Sequence, residues 1–123
     1  MVPTQAGILI VDDEFGLAEM LRDMLREHGY NVTLAINGRL ALAILTEQRI
    51  DLVITDMMMP VMDGEELARA MRAAEMHRRT PIIMMSSLPT RRDGFGGLFN
   101  AVLRKPFTPD QLLSTIAECL AGA

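Results

Sequence analysis

Three short runs in this chain are apolar at every position: Ile8-Leu9-Ile10-Val11, Leu52-Val53-Ile54 and Ile82-Ile83-Met84-Met85. They are too short for helices, rich in branched side chains, and bounded by polar residues or proline. A strand with one wet face alternates polar and apolar residues, so an unbroken apolar run means that both faces are covered, as in the middle of a parallel sheet. Val32, Leu34 and Ile36 do alternate with Asn31, Thr33 and Ala35, which predicts an edge strand. Ala101-Val102-Leu103 is a short fifth candidate, ended by Arg104-Lys105-Pro106.

Helical stripes lie between these runs. Leu17, Met20, Leu21, Met24 and Leu25 follow the i, i+3, i+4, i+7, i+8 pattern, and the stripe stops at His28-Gly29, where a glycine suits a left-handed C-cap and a histidine suits the negative end of the helix. Leu40, Ala41, Ile44 and Leu45 form a second stripe, and Leu67, Ala70, Met71 and Ala74 a third. Leu113, Ile116, Ala117 and Leu120 form the last, after the start signal Thr108-Pro109-Asp110. Such alternation requires right-handed crossovers between parallel strands, so the expected class is α/β: a three-layer domain with helices on both faces of a five-stranded parallel sheet. The chain shows no internal repeat or linker, and residues 1–123 read as a single domain.

Composition narrows the function. A net charge of −4 argues against a face that grips a phosphate backbone, which needs clustered Lys and Arg, so no direct nucleic-acid partner is expected. No apolar run approaches the length of a membrane span and the N-terminus lacks the pattern of a signal peptide, so no membrane association is expected. The single cysteine, Cys119, can form neither an internal disulfide nor a cysteine-based zinc site; it reads as helix packing, and the cytoplasm is the expected compartment.

In a parallel sheet the carboxyl ends of the strands share one edge, where ligands bind. The first strand runs into Asp12-Asp13-Glu14, the third into Thr55-Asp56, the fourth into Ser86-Ser87, and the fifth into Lys105, the chain's only lysine. Each has a plain structural reading: Asp12 to Glu14 as a helix cap with an acidic first turn, Asp56 as a turn residue, Ser86 as a strand-end cap, Lys105 as a surface cation. None of these readings explains why all of them fall at equivalent places in one topology.

Phosphoryl transfer to a carboxylate needs this set. Neighbouring carboxylates repel unless a cation sits among them, and Mg²⁺ is the hard ion that pairs a few carboxylates with water and phosphate. Asp12 and Asp13 would hold the metal and Asp56 would be the nucleophile. Lys105 would neutralise one phosphoryl oxygen, and Ser86 would donate a hydrogen bond to another.

The chain closely resembles the receiver domain of two-component response regulators. Val11-Asp12-Asp13-Glu14, the stretch from Asp56-Met57-Met58-Met59-Pro60 through Val61-Met62-Asp63-Gly64, Pro81-Ile82-Ile83-Met84-Met85-Ser86 and Lys105-Pro106-Phe107 carry the resemblance. It implies flavodoxin-like topology with strand order 2-1-3-4-5, phosphorylation of Asp56, and a Mg²⁺ site. In that site Asp13 and Asp56 would bind directly, Asp12 largely through metal-bound water, and the backbone carbonyl of Met58 would be a further ligand. It also implies a cis bond before Pro106, and a histidine kinase or histidine phosphotransfer protein as phosphoryl donor, with a downstream protein as possible target. The expected behaviour is self-catalysed phosphorylation and slow dephosphorylation without turnover of an external substrate. The sequence does not fix the oligomeric state.

Two features depart from the pattern. The position three residues before the lysine, aromatic in most receivers, is Val102, whose branched side chain has little rotamer freedom for a ring-swing switch. Residues 88–100 contain Pro89, Gly94, Gly96 and Gly97, so the fourth helix is expected to be shortened or irregular and the segment poorly tied, with few helical hydrogen bonds and little buried apolar surface. Of the eleven methionines, Met84 and Met85 read as core, while Met57, Met58, Met59 and Met62 lie beside the site. Arg78-Arg79 and Arg91-Arg92 read as solvated loop charges, and His77 has no evident kinase role.

Three alternatives remain in view. The chain ends after the last helical stripe, so a receiver cut from a hybrid histidine kinase or larger regulator is as readable as a stand-alone one. A haloacid-dehalogenase type phosphatase also uses a strand-end Asp with Mg²⁺, but wants a second Asp where this chain has Met58. A flavin module would need a phosphate loop after the first strand, where Asp12-Asp13 would repel it.

Overall fold

The computed structural model describes residues 5–89 and 95–122. The apolar runs become β1 (Gly7–Val11), β3 (Leu52–Asp56) and β4 (Ile82–Ser86), and the two weaker candidates become β2 (Asn31–Ala35) and β5 (Ala101–Arg104). Between them lie α1 (Phe15–Glu27), α2 (Gly38–Glu47), α3 (Gly64–Ala73) and a 3-10 turn (Glu75–His77), and α4 (Pro109–Ala121) closes the order. The five strands pair in parallel in the order β2-β1-β3-β4-β5, so the three strands built on the apolar runs are the central ones and the two others are the edges. This is the flavodoxin-like order that the resemblance implies.

Period two divides each central strand between two cores. Ile8, Ile10, Leu52, Ile54, Ile83 and Met85 face Ala18, Leu21 and Leu25 of α1 and Leu112 and Ile116 of α4. Leu9, Val11, Val53, Ile82 and Met84 face Ala41 and Leu45 of α2 and Leu67, Ala68 and Met71 of α3. Both Met84 and Met85 are fully buried, one on each side of the sheet.

The expected stripes are partly corrected. Met20 and Leu40 face solvent, and Ala68 and Leu112 rather than Ala74 and Ala117 meet the sheet. A helix lying flat on a sheet buries only the centre of a wide apolar stripe, and the flanks border grooves.

The ends of the helices follow their chemistry. Thr108 and Gln111 form a capping box that starts α4, as do Asp63 and Glu66 for α3. Gly29, with φ of 91°, follows α1, and His28 Nδ1 lies 3.0 Å from the Met24 carbonyl. Outside the site, His77 is structural: Nε2 lies 3.0 Å from the Leu45 carbonyl and Nδ1 lies 3.1 Å from Thr80 Oγ1.

Among the described residues, no α-helix lies between β4 and β5. Arg91, Arg92 and Gly94 lie outside the described residues. Gly96 and Gly97 have φ of 67° and 82°, which excludes a helix there. The expectation of a poorly tied segment is corrected for residues 95–100. Leu98 and Phe99 are buried in the α2–α3 core, and Phe95 packs edge-on against Phe99 with ring centroids 5.4 Å apart. The Arg72 guanidinium holds the same segment by donating to the Leu98 carbonyl and to Asn100 Oδ1. A buried aromatic and a directional arginine anchor residues 95–100.

Candidate functional site

Strand direction brings the predicted residues to one edge. Asp12 follows β1, Asp56 ends β3, Ser86 ends β4 and Lys105 follows β5. Carboxylate oxygens of Asp12, Asp13 and Asp56 all lie within 4.8 Å of one another. Lys105 Nζ lies 2.9 Å from Asp56 Oδ1 and 4.0 Å from Asp12 Oδ2.

The plain readings of Asp12 to Glu14 and of Lys105 fail on the geometry, while Ser86 does cap the end of its strand. α1 has Glu14 as its N-cap with no side-chain cap bond and no acid in its first turn, so Asp12 and Asp13 are not an acidic helix start. Asp12 Oδ1 accepts from the Glu14 backbone N–H at 2.9 Å, whereas Oδ2 is buried with no hydrogen-bond partner. α3 is capped by Asp63, and the Asp56 carboxylate is paired with Lys105 instead. Lys105 is no free surface cation: its side chain is only 21% exposed.

Burial raises the Asp12 pKa above its ordinary value, opposed by the Glu14 hydrogen bond and reinforced by the charges of Asp56 and Asp13. Burial alone would lower Lys105; the hydrogen bond and charge of Asp56, with Asp12 and Glu14, outweigh it and leave the ammonium held more firmly than in water. One buried carboxylate thus stays under-neutralised beside a lysine already paired with its neighbour.

Local sequence explains how Asp56 is placed. The Gly64 N–H donates to the Met57 carbonyl, and a Cβ at Gly64 would overlap the Asp56 carbonyl oxygen, so only glycine lets α3 start this close to β3. Between them Met62 N–H donates to the Pro60 carbonyl around Val61, whose φ of 71° is strained for a branched residue. The Met62 side chain fills the space left by the missing Cβ of Gly38, 2.7 Å away at Cγ, and so joins this loop to α2. Met58 projects from it and is 70% exposed.

Ser86 is buried, and its hydroxyl is engaged by the loop that follows: it accepts from the Leu88 N–H at 3.1 Å and lies 3.2 Å from the Leu88 carbonyl. Val102 pairs with Met84 across the sheet and packs, half-buried, against the core that contains Phe99. The Lys105–Pro106 bond is cis, as the resemblance implies.

A family model described as the response regulator receiver domain matches residues 8–117. The chain belongs to that family. The fold is that of a chemotaxis response regulator of Vibrio cholerae, CheY4: TM-score 0.87 and 35% identity, covering 94% of this chain and 99% of that one. The response regulator TrrA of Thermotoga maritima, solved in complex with Mg²⁺-BeF, matches with TM-score 0.84 and 31% identity over 94% of this receiver and 99% of that chain. Among curated relatives, the DNA-binding response regulator MtrA of Mycobacterium tuberculosis is 36% identical over 112 residues, 89% of this receiver and 48% of that protein. The receiver spans about half the length of the curated relatives it matches, from 47% to 56% for the first of them. No helix among the described residues is long and apolar enough to cross a membrane.

Sequence reasoning did not find Arg72. Its acceptors are the carbonyls of His77, Arg78, Thr80 and Leu98 and the side chain of Asn100, and no spacing rule displays such contacts.

Proposed function

We propose that this receiver is the phosphoacceptor of a two-component relay, with Asp56 as the residue phosphorylated. The observation that carries the reading is the buried Oδ2 of Asp12, which has no hydrogen-bond partner among the described residues, beside Asp13, Asp56 and an ion-paired Lys105. That donor set fits a hard divalent cation, because three clustered carboxylate oxygens and one unsatisfied buried charge call for a small oxygen-seeking ion. Asp12, Asp13, Asp56 and the Met58 backbone carbonyl would hold Mg²⁺, which supplies charge neutralisation for the transferring phosphoryl group.

The protein's own part is positioning. A carboxylate oxygen of Asp56 attacks the phosphorus of a phosphohistidine; the new P–O bond forms as the P–N bond breaks, and the imidazole leaves and takes a proton from water. Lys105, already 2.9 Å from Asp56 Oδ1, transfers its hydrogen bond to a phosphoryl oxygen. Ser86 gives up its contact with the Leu88 carbonyl and donates to another, which pulls on the loop after β4. A histidine kinase or histidine phosphotransfer protein would be the donor, and a downstream protein the reader of the loop. These steps belong in the cytoplasm, where such donors act.

The phosphatase alternative is disfavoured by the side chain at Met58, an exposed thioether where a second acid/base carboxylate would be required. Reaction with phosphoramidate, which presents the same P–N bond, tests the proposal. Phosphate on the Asp56 peptide that hydroxylamine removes supports an acyl phosphate; hydroxylamine-resistant phosphate on a serine contradicts it.

A further inference from the structure

The reaction edge depends on one strand whose hold on the sheet is slight. β5 is four residues long, pairs among the described residues with β4 alone, and is approached through Gly96 and Gly97, whose positive φ angles and open surroundings constrain the chain little. Short glycine-fed edge strands specify their register weakly. Yet the register matters. Lys105 sits one residue beyond β5, and a slip of one position moves it by about 3.3 Å along the strand and to the other face, out of contact with Asp56.

Two groups oppose that slip at the start of the strand. Phe99 is buried, but apolar burial is non-directional and tolerates small shifts along the strand. Arg72 is directional. From the end of α3 its Nη2 donates to the Leu98 carbonyl at 2.9 Å and to Asn100 Oδ1 at 3.0 Å, and its Nε donates to Leu98 at 3.2 Å. Its Nη1 donates to the Thr80 carbonyl at 2.7 Å, just before β4. Asn100 closes the bracket: its N–H donates to the Ile82 carbonyl at 2.8 Å, and its Oδ1 accepts from the Ile82 N–H at 2.9 Å. One guanidinium fork therefore ties the entry of β4 to the entry of β5, and no carboxylate competes for it among its hydrogen bonds.

We propose that Arg72 is a positioning residue for Lys105: by clamping Leu98 and Asn100 it fixes the register of β5 and so sets the ammonium against Asp56 at the opposite end of the strand, roughly 17 Å away. This rests on the phosphoacceptor reading for its consequence in phosphoryl binding, although the strand register can be read without it.

The test uses Arg72→Met, and Arg72→Lys, whose point charge cannot reproduce the fork. Amide hydrogen exchange of the intact protein comes first, with no phosphate analogue present. Protection should fall in residues 101–105 while β1 and β3 keep theirs; a uniform loss across the sheet, or no loss, overturns the clamp. Calorimetric titration with Mg²⁺ alone, and then with beryllofluoride in saturating Mg²⁺, supplies the second readout. Arg72→Met should bind Mg²⁺ as the parent does, or slightly tighter, and beryllofluoride about tenfold more weakly, the loss of one charge-assisted contact. In a Lys105→Met background the Arg72 substitution should cost nothing further, since the two act through one contact. Equal weakening of both ligands, or additive losses in the double variant, overturns the positioning role. A parent that binds no beryllofluoride while the exchange result holds would count against the phosphoacceptor reading and leave the clamp standing.

Discussion

Lys105 Nζ meets Asp56 Oδ1 at 2.9 Å although the two residues stand at the ends of strands that are not neighbours, with β4 running between β3 and β5. The ammonium reaches across the strand that carries Ser86, so the end of β5 meets the carboxylate at the end of β3. Replacing Lys105 with methionine should slow phosphorylation by a small-molecule acyl phosphate by about a hundredfold, the scale of losing one preorganised donor, with Mg²⁺ affinity kept or raised because a competing cation is gone. Time-resolved intact mass and a metal titration check both halves; a variant labelled at the parent's rate would remove Lys105 from the mechanism.

Asp12 gives a pH dependence with a defined sign. Its folded pKa lies above the ordinary 3.8, so without metal, between that value and the raised one, the native state binds more of this proton than the unfolded chain does. Stability should therefore fall as pH rises from about that ordinary value through the raised one, and Mg²⁺ should reverse the loss by preferring the charged carboxylate. Asp12→Asn should be more stable than the parent in EDTA at neutral pH, by about 1 to 3 kcal/mol, and should lose most of the stabilisation by Mg²⁺. Urea denaturation with and without metal measures this; a destabilised Asp12→Asn in EDTA would contradict it.

Gly64 should be intolerant of any side chain, because a Cβ would overlap the Asp56 carbonyl and the backbone must move. Gly64→Ala is expected to cost about 1 to 3 kcal/mol and to slow phosphorylation through displacement of Asp56. Gly16, in α1 with nothing near its missing Cβ, is the matched control: Gly16→Ala should be neutral or stabilising by up to about 1 kcal/mol. Thermal unfolding of the two variants side by side separates site geometry from helix propensity.

The lifetime of the aspartyl phosphate should be long. Hydrolysis needs a water held in line with the phosphoryl group, and the exposed side chains that flank Asp56 and Ser86 in sequence, Met58 and Leu88, are apolar and cannot orient one. Met58→Asn and Leu88→Glu should each lose phosphate faster than the parent after the donor is removed. Slower decay in both would mean that water is positioned by other groups.

Most of this architecture is legible in the sequence because burial on both faces makes β1, β3 and β4 apolar up to their carboxyl ends, where Thr55, Asp56 and Ser86 stand, and strand direction then dictates where Asp12, Asp56, Ser86 and Lys105 meet. That residues 95–100 form no α-helix is legible too, since Gly96 and Gly97 cannot sit cheaply in one. What anchors these residues is not. Leu98-Phe99 is an isolated pair in a glycine-rich run, with no periodicity to mark it as core, and Arg72 acts through carbonyls brought close only by the fold. Nor does the sequence reveal that the Ser86 hydroxyl faces Leu88, because a hydroxyl's partner depends on the path of the loop.

The central claim is that Asp56 accepts the phosphoryl group with a divalent cation among the three carboxylates. Intact-mass spectrometry after incubation with an acyl phosphate tests it most directly, in Mg²⁺ and in EDTA, on the parent and on Asp56→Asn. The account predicts one added phosphate on the parent in Mg²⁺, none in EDTA, and none on Asp56→Asn in either condition. Equal labelling of Asp56→Asn, or labelling of the parent that is indifferent to Mg²⁺, would contradict it.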